Sequence, residues 1–222
     1  MKQIVWTVAA LPLLAACGNA AVAEADPVSQ AEATAPSVDT DARAPFDFAA
    51  LPAGTYTDED GHVYIQFSYD HQGYSKPILR WSAFDATVDY NPEDPSSSTL
   101  SVVIPVESID SMVPAFDEHL LSADFFDAAT YPEIRFQSTS MVVNPDGSGT
   151  ITGDLTVKDI TREITFDGQL NKIGKNFRSG VDMFGISGTG SLKRSDYGVG
   201  KYAPNVRDAV DLVIEVEFQK SE

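Results

Sequence analysis

From Gly54 onward, apolar and polar residues alternate along most of the chain, the period of a strand with one wet face. The clearest run is near the C-terminus, where Val210, Leu212, Ile214, Val216 and Phe218 alternate with Asp211, Val213, Glu215, Glu217 and Gln219. Earlier, Val63, Ile65, Phe67 and Tyr69 share one face, as do Leu100, Val102 and Ile104, and Ile134 with Phe136. Two further runs are Ile151, Gly153, Leu155 and Val157, and Ile164, Phe166, Gly168 and Leu170. Turn-forming residues stand at Asp60-Gly61, Asn91-Pro92-Glu93-Asp94-Pro95, Asn144-Pro145-Asp146-Gly147 and Asp167-Gly168, and short turns join strands antiparallel. Only the stretch from Pro114 to Phe126 reads as helical. The pattern predicts an all-β domain of roughly eight antiparallel strands with one short helical excursion, as a barrel or a sandwich. Closure removes exposed edges and, at about eight strands, leaves an interior able to hold one ligand.

The N-terminus follows a different pattern. Lys2 precedes an apolar run from Ile4 to Leu14, which ends in Leu14-Ala15-Ala16-Cys17. Such a run is too short for a stable membrane span and ends in small residues, which predicts a secretion signal over residues 1–16. Leu-Ala-Ala-Cys also resembles the bacterial lipobox, in which cleavage precedes an acylated cysteine. Cys17 is the only cysteine, so it has no disulfide partner within the chain, and lipidation accounts for it. An ordinary cleavage near Asn19-Ala20 or Ala21-Val22-Ala23 would instead discard Cys17 and give a soluble periplasmic protein. Gly18, standing where an Asp would resemble an inner-membrane retention signal, points to the periplasmic face of the outer membrane. Residues 17–45 then form a lipidated Cys and a tether rich in Ala, Pro, Ser, Thr and acids. Roughly 28 such residues reach some tens of ångströms at about 3.3 Å each. Residues 46–222 form the barrel domain.

Charge narrows the partners. Acids number 33 against 15 Lys plus Arg, a formal net charge of -18, which disfavours nucleic acid and electrostatic adsorption to anionic headgroups. Membrane attachment would come through acyl chains, and a homodimer is compatible with these features.

Catalytic and metal-binding constellations are not evident. The sequence has no Cys-x-x-Cys, His-Glu-x-x-His, Gly-x-Ser-x-Gly or phosphate-cradling glycine loop, and His62, His71 and His119 fall on separate predicted elements. Asp58-Glu59-Asp60-Gly61 opens like a calcium loop, but Tyr69 stands where the closing Glu would be, so a solvated turn is expected. No catalytic residue, metal or cofactor is therefore assigned. Arg194 and Asp196, two apart, would share a face on a strand, as an ion pair at the barrel rim or as a polar grip on a ligand headgroup. The aromatics Phe67, Trp81, Phe84, Phe116, Phe125, Phe126, Phe136 and Phe166 are core or pocket wall. Gly153 and the run Gly185-Ile186-Ser187-Gly188-Thr189-Gly190 leave room for a close neighbour or a ligand.

Three stretches carry a family resemblance. Residues 116–140, beginning Phe116-Asp117-Glu118-His119-Leu120-Leu121, are similar to the most distinctive segment of the YceI-like family. Gly153-Asp154-Leu155-Thr156-Val157-Lys158-Asp159-Ile160-Thr161-Arg162-Glu163-Ile164 and Arg194-Ser195-Asp196-Tyr197-Gly198-Val199 resemble its second and third segments. The similarity spans about residues 54 to 220. It departs at Glu59 and Val63, where Asp and Ser are usual, and at Lys158-Asp159, where His-Gly is common.

The resemblance implies a lipocalin-like barrel with an elongated pore holding a polyisoprenoid lipid such as a quinone tail. Phe67, Trp81, Phe84, Phe116, Phe125, Phe126, Phe136 and Phe166 become expected pocket contacts, with Arg194 and Asp196 nearer a polar end. The expected role is a carrier, scavenger or sensor without catalytic activity. An enzyme acting on a lipid or quinone, or an interaction module with a packed barrel, are the alternatives.

Overall fold

The computed structural model describes residues 44–221, apart from the side chain of Asp60. The expected signal peptide, the lipidated Cys17 and nearly all of the tether lie outside the described residues.

Ten strand segments build the wall: β1 (Gly54–Ser68), β2 (Ile78–Trp81), β3 (Asp85–Tyr90), β4 (Thr99–Pro105), β5 (Ile109–Asp110), β6 (Glu133–Val143), β7 (Ser148–Val157), β8 (Ile160–Lys175), β9 (Asp182–Lys193) and β10 (Ala209–Lys220). All pairings are antiparallel, and β10 pairs back onto β1, so the sheet closes. The barrel nonetheless has eight staves. β3 runs beside Gly54–Thr57 of β1 and β2 beside Ile65–Ser68, so the two make one stave interrupted at residues 82–84. β4 and β5 make the neighbouring stave, interrupted by a 3-10 turn over Val106–Ser108. Ser82 amide and hydroxyl both donate to the Ser108 carbonyl at 2.8 Å, and the Ser108 hydroxyl donates to Ala83 O, which pins the two breaks together.

The expected alternation becomes an inside and an outside. Val210, Leu212, Ile214, Val216 and Phe218 of β10 all face inward, as do Ile65 and Phe67 of β1. Two expected turns are not turns. Asp60-Gly61 lies within β1, in a bulge where residues between Asp58 and Val63 stand against the short step from Phe218 to Val216 of β10. Asp167-Gly168 lies within β8, where Gly168 is in register with Gly188 of β9. Both misreadings come from glycine, which marks a bulge or an empty wall position as readily as a turn. The turns at residues 91–95 and 144–147 are present, the second with Gly147 at φ 80° and its amide bonded to Asn144 O. The helix α1 spans Pro114–Leu121, starting on a proline whose missing N–H costs nothing there and ending where the Ser122 hydroxyl donates to the His119 carbonyl. It is five residues shorter than its sequence signal.

One pole of the barrel is plugged by the entering chain. Phe46 N–H donates to Pro145 O, Leu51 is 1% exposed, and the Tyr56 and Tyr90 hydroxyls donate to Pro52 O and Phe48 O. Burial pushes both phenols up to about 12, helped by Asp182 and Tyr90 near Tyr56 and by Asp47 near Tyr90. Phe184 and Phe218 stack at 5.0 Å beside Tyr56 and complete the plug.

A candidate lipid-binding cavity

A cavity of about 470 Å³ occupies the barrel interior toward the pole opposite the plug. That size lies within the range of small-molecule sites, and its wall is almost wholly carbon. Phe67, Trp81, Phe84, Phe116, Phe125, Phe126, Phe136 and Phe166 all line it, among inward aliphatics from β1, β4, β6, β7, β9 and β10. Five of these rings form two groups. Phe67 and Trp81 lie 5.8 Å apart, and Phe126 meets Trp81 edge-on at 5.4 Å. Deeper, Phe136 and Phe166 meet edge-on at 5.6 Å.

Glycines determine where these rings can lie. A Cβ on Gly153 would fall 2.6 Å from the Phe136 ring, and one on Gly190 would fall 2.5 Å from the Phe166 ring. Those two glycines make room for a close neighbour, one of the two roles open to them in the sequence. Gly168 and Gly188 are different: both line the cavity, and a Cβ on Gly168 would meet nothing nearer than 3.9 Å.

Polar groups collect at the open pole. His71, His119, Arg194, Lys201 and Tyr202 border the cavity there. The expected pairing of Arg194 with Asp196 on one face does not occur, because residues 194–197 form a 3-10 turn instead of a strand. Asp196 is exposed and outside the cavity lining; only its backbone carbonyl is engaged, by Arg162 Nε at 2.7 Å. Arg194 is buried and donates to the carbonyls of Arg207, Val199, Lys201 and Val206 at 2.7–3.1 Å. Burial pulls its guanidinium below the ordinary value, while Asp208 and then Tyr69 act in the other direction. Arg194 thus clamps the loop that closes the mouth.

That loop, residues 198–208, meets α1 and its following turn across the opening. Lys201 pairs with Asp124, and the Tyr202 ring stacks on His119, which in turn meets Phe125 edge-on at 5.0 Å. Asp208 holds the other end, accepting from the Ser195 hydroxyl at 2.6 Å and its amide at 2.9 Å. These bonds keep the carboxyls of Asp124, through Lys201, and Asp208, through Ser195, below 3.8. A depressed carboxylate contributes stability that is present above its unfolded pKa and lost as pH falls through its folded one. The mouth is therefore expected to loosen only as pH drops below about 3.8, and hydrogen exchange of residues 194–208 against pH checks it. Exchange that accelerates already near pH 6 would contradict this assignment.

Sequence reasoning did not find Tyr69, Tyr197, Val199 and Tyr202 as cavity residues, since three of the four sit in or beside the irregular loop. His62 stands outside the lining, on the β1 bulge, where its Nδ1 lies 2.5 Å from Glu59 and 3.9 Å from Glu217. The hydrogen bond to Glu59, then the charges of Glu217 and Glu59, raise its pKa.

Residues 56–218 match the YceI-like domain. The chain belongs to the YceI-like family. Protein YceI of Escherichia coli is 33% identical over 171 residues, covering 76% of this chain and 88% of that protein. Among solved structures, BcnA of Burkholderia cenocepacia shares the fold at a TM-score of 0.65 and 21% identity, covering 72% of this chain and 98% of BcnA. A polyisoprenoid binding domain from Saccharophagus degradans shares it at a TM-score of 0.58 and 10% identity, covering 77% of this chain and all of that domain. The eight-stranded antiparallel barrel with one short helix is thus the YceI-like fold, as the sequence resemblance implied.

Proposed function

We propose that this YceI-like chain is an exported, membrane-anchored protein that binds a long apolar isoprenoid lipid, of quinone type, and acts as its carrier, scavenger or sensor without chemical turnover. The observation that carries the reading is the 470 Å³ carbon-walled cavity with His71, His119, Arg194 and Lys201 gathered at one end. Burial is worth about 0.8 kcal/mol per CH₂, so a prenyl tail supplies its own driving force, and the polar end need only orient the headgroup. The Saccharophagus domain of the same fold, described as polyisoprenoid binding, is consistent with such a ligand. Acylation at Cys17 would hold the protein at the periplasmic face of the outer membrane. A packed interior, which a pure interaction module would have, is at odds with the cavity.

Replacing Phe126 with Asn, which introduces an amide among Trp81 and Phe67, should reduce co-purifying prenyl lipid about tenfold while the barrel still folds. Phe136→Asn, deeper in the wall, should do the same at a larger cost in melting temperature. Unchanged lipid content in both variants would overturn the reading.

A further inference from the structure

Nine large apolar side chains stand exposed among the described residues, and five of them belong to the mouth of the cavity. Tyr74, 86% exposed, tips the hairpin closed by the His71–Ser75 bridge. Ile78 begins β2 opposite Ser68, the last residue of β1. β5 pairs with β2 through Arg80 against Asp110, and Met112 and Val113 follow directly on β5, ahead of α1. Ile78, Met112 and Val113 are 58%, 79% and 54% exposed, so the ends of these neighbouring strands present apolar side chains to solvent. Tyr202, across the opening, is half exposed and also lines the cavity, so the rim and the apolar interior are one surface. Two of the five are held in left-handed backbone, Met112 at φ 63° and Tyr202 at φ 70°, a conformation that costs energy at non-glycine residues and gathers at functional sites.

We propose that this rim docks onto the surface of an uncharged phospholipid bilayer, so that an apolar lipid passes between membrane and cavity without crossing water. The proposal rests on the reading of the cavity as a lipid site. A protein of net charge -18 gains nothing from anionic headgroups, so the barrel itself, as distinct from an acylated Cys17, would meet a bilayer by inserting apolar side chains. The course of the chain fits. It enters the barrel at the plugged pole, through Phe46 on Pro145, at the opposite end from the rim. The roughly 28 residues after Cys17 span at most about 100 Å. The 12-residue β10 wall is only about 40 Å long, so a chain anchored at Cys17 can still turn its mouth to the same bilayer.

Flotation with phosphatidylcholine vesicles tests the proposal, using residues 44–222, which contain the whole closed barrel, so that neither an acyl chain nor the apolar run Ile4–Leu14 can anchor it. The comparison is among this parent, the rim variant Ile78→Ser with Met112→Asn, and the plugged-pole variant Phe177→Ser, Phe177 being 89% exposed in the β8–β9 turn. The rim variant should lose about tenfold or more of its vesicle partitioning, Phe177→Ser should lose none, and raised salt should not release the parent. Asn tolerates the left-handed backbone at position 112, so the rim variant should melt no lower than the parent, which separates docking from folding. A parent that ignores vesicles, a rim variant that floats like the parent, or a parent dimer that the rim variant loses while neither binds vesicles would each overturn the proposal. Extracting the same preparations for prenyl lipid keeps the two claims apart. Lipid-bearing protein that ignores vesicles sinks the docking alone, and empty protein that docks through the rim sinks only the cavity reading.

Discussion

Arg194→Ala is expected to destabilise the domain by about 3–5 kcal/mol, lowering the melting temperature on the order of 10 °C. The size follows from what the guanidinium does. It is 9% exposed and donates to four backbone carbonyls of residues 199–207, which an alanine would leave unsatisfied in the same buried spot. Arg194→Lys should recover little, because a point ammonium cannot reproduce a planar fork reaching carbonyls in three directions. Asp196→Ala, at an exposed residue whose engaged atom is its backbone carbonyl, should be nearly neutral. Limited proteolysis should cut first within residues 198–208 in Arg194→Ala. Thermal melts of the three variants decide it, and a melt of Arg194→Ala matching the parent would show that the loop is not held by this clamp.

Gly168→Leu is expected to leave the barrel folded and to remove a long lipid from it. Gly168 and Gly188 face each other across β8 and β9, and both border the inner part of the cavity. A Cβ at Gly168 finds only ordinary contacts at 3.9 Å, so a larger side chain grows into empty space. A leucine there displaces about three or four methylenes of a bound tail, about 3 kcal/mol, or roughly a hundredfold in affinity for chains that fill the cavity. Shorter prenyl chains should be retained, so the variant shifts length preference. Gly153→Leu makes the contrast: its Cβ would strike Gln137 O at 2.4 Å and the Phe136 ring at 2.6 Å, so it should lose stability by about 3 kcal/mol. Extracted lipid per protein, measured beside the melting temperature, distinguishes blocked from unfolded. A Gly168→Leu variant with undiminished long-chain lipid would mean that no tail occupies this part of the barrel.

The wall of the barrel was legible because alternation is enforced by closure. Each strand has one face in carbon and one in water, and β10 shows this residue by residue. The aromatic lining was legible for the same reason, since large inward rings have few other places to go. Glycine was the ambiguous letter. The same residue type marks the β1 bulge at Gly61, the floor beneath Phe136 at Gly153 and the open wall at Gly168, and spacing alone does not separate these uses. Asp196 was misplaced because a strand's period was extended into a 3-10 turn, where residues two apart no longer share a face. The broken staves at residues 82–84 and 106–108 and the exposed rim depend on contacts between distant segments, which no local pattern encodes.

The central claim is that the cavity holds a prenyl lipid, and native mass spectrometry of the exported Cys17→Ala protein, followed by organic extraction, tests it most directly. A discrete excess mass in stoichiometric amount, released as a polyisoprenoid or quinone, is the predicted result. A clean apo mass that persists after incubation with quinones would contradict the account.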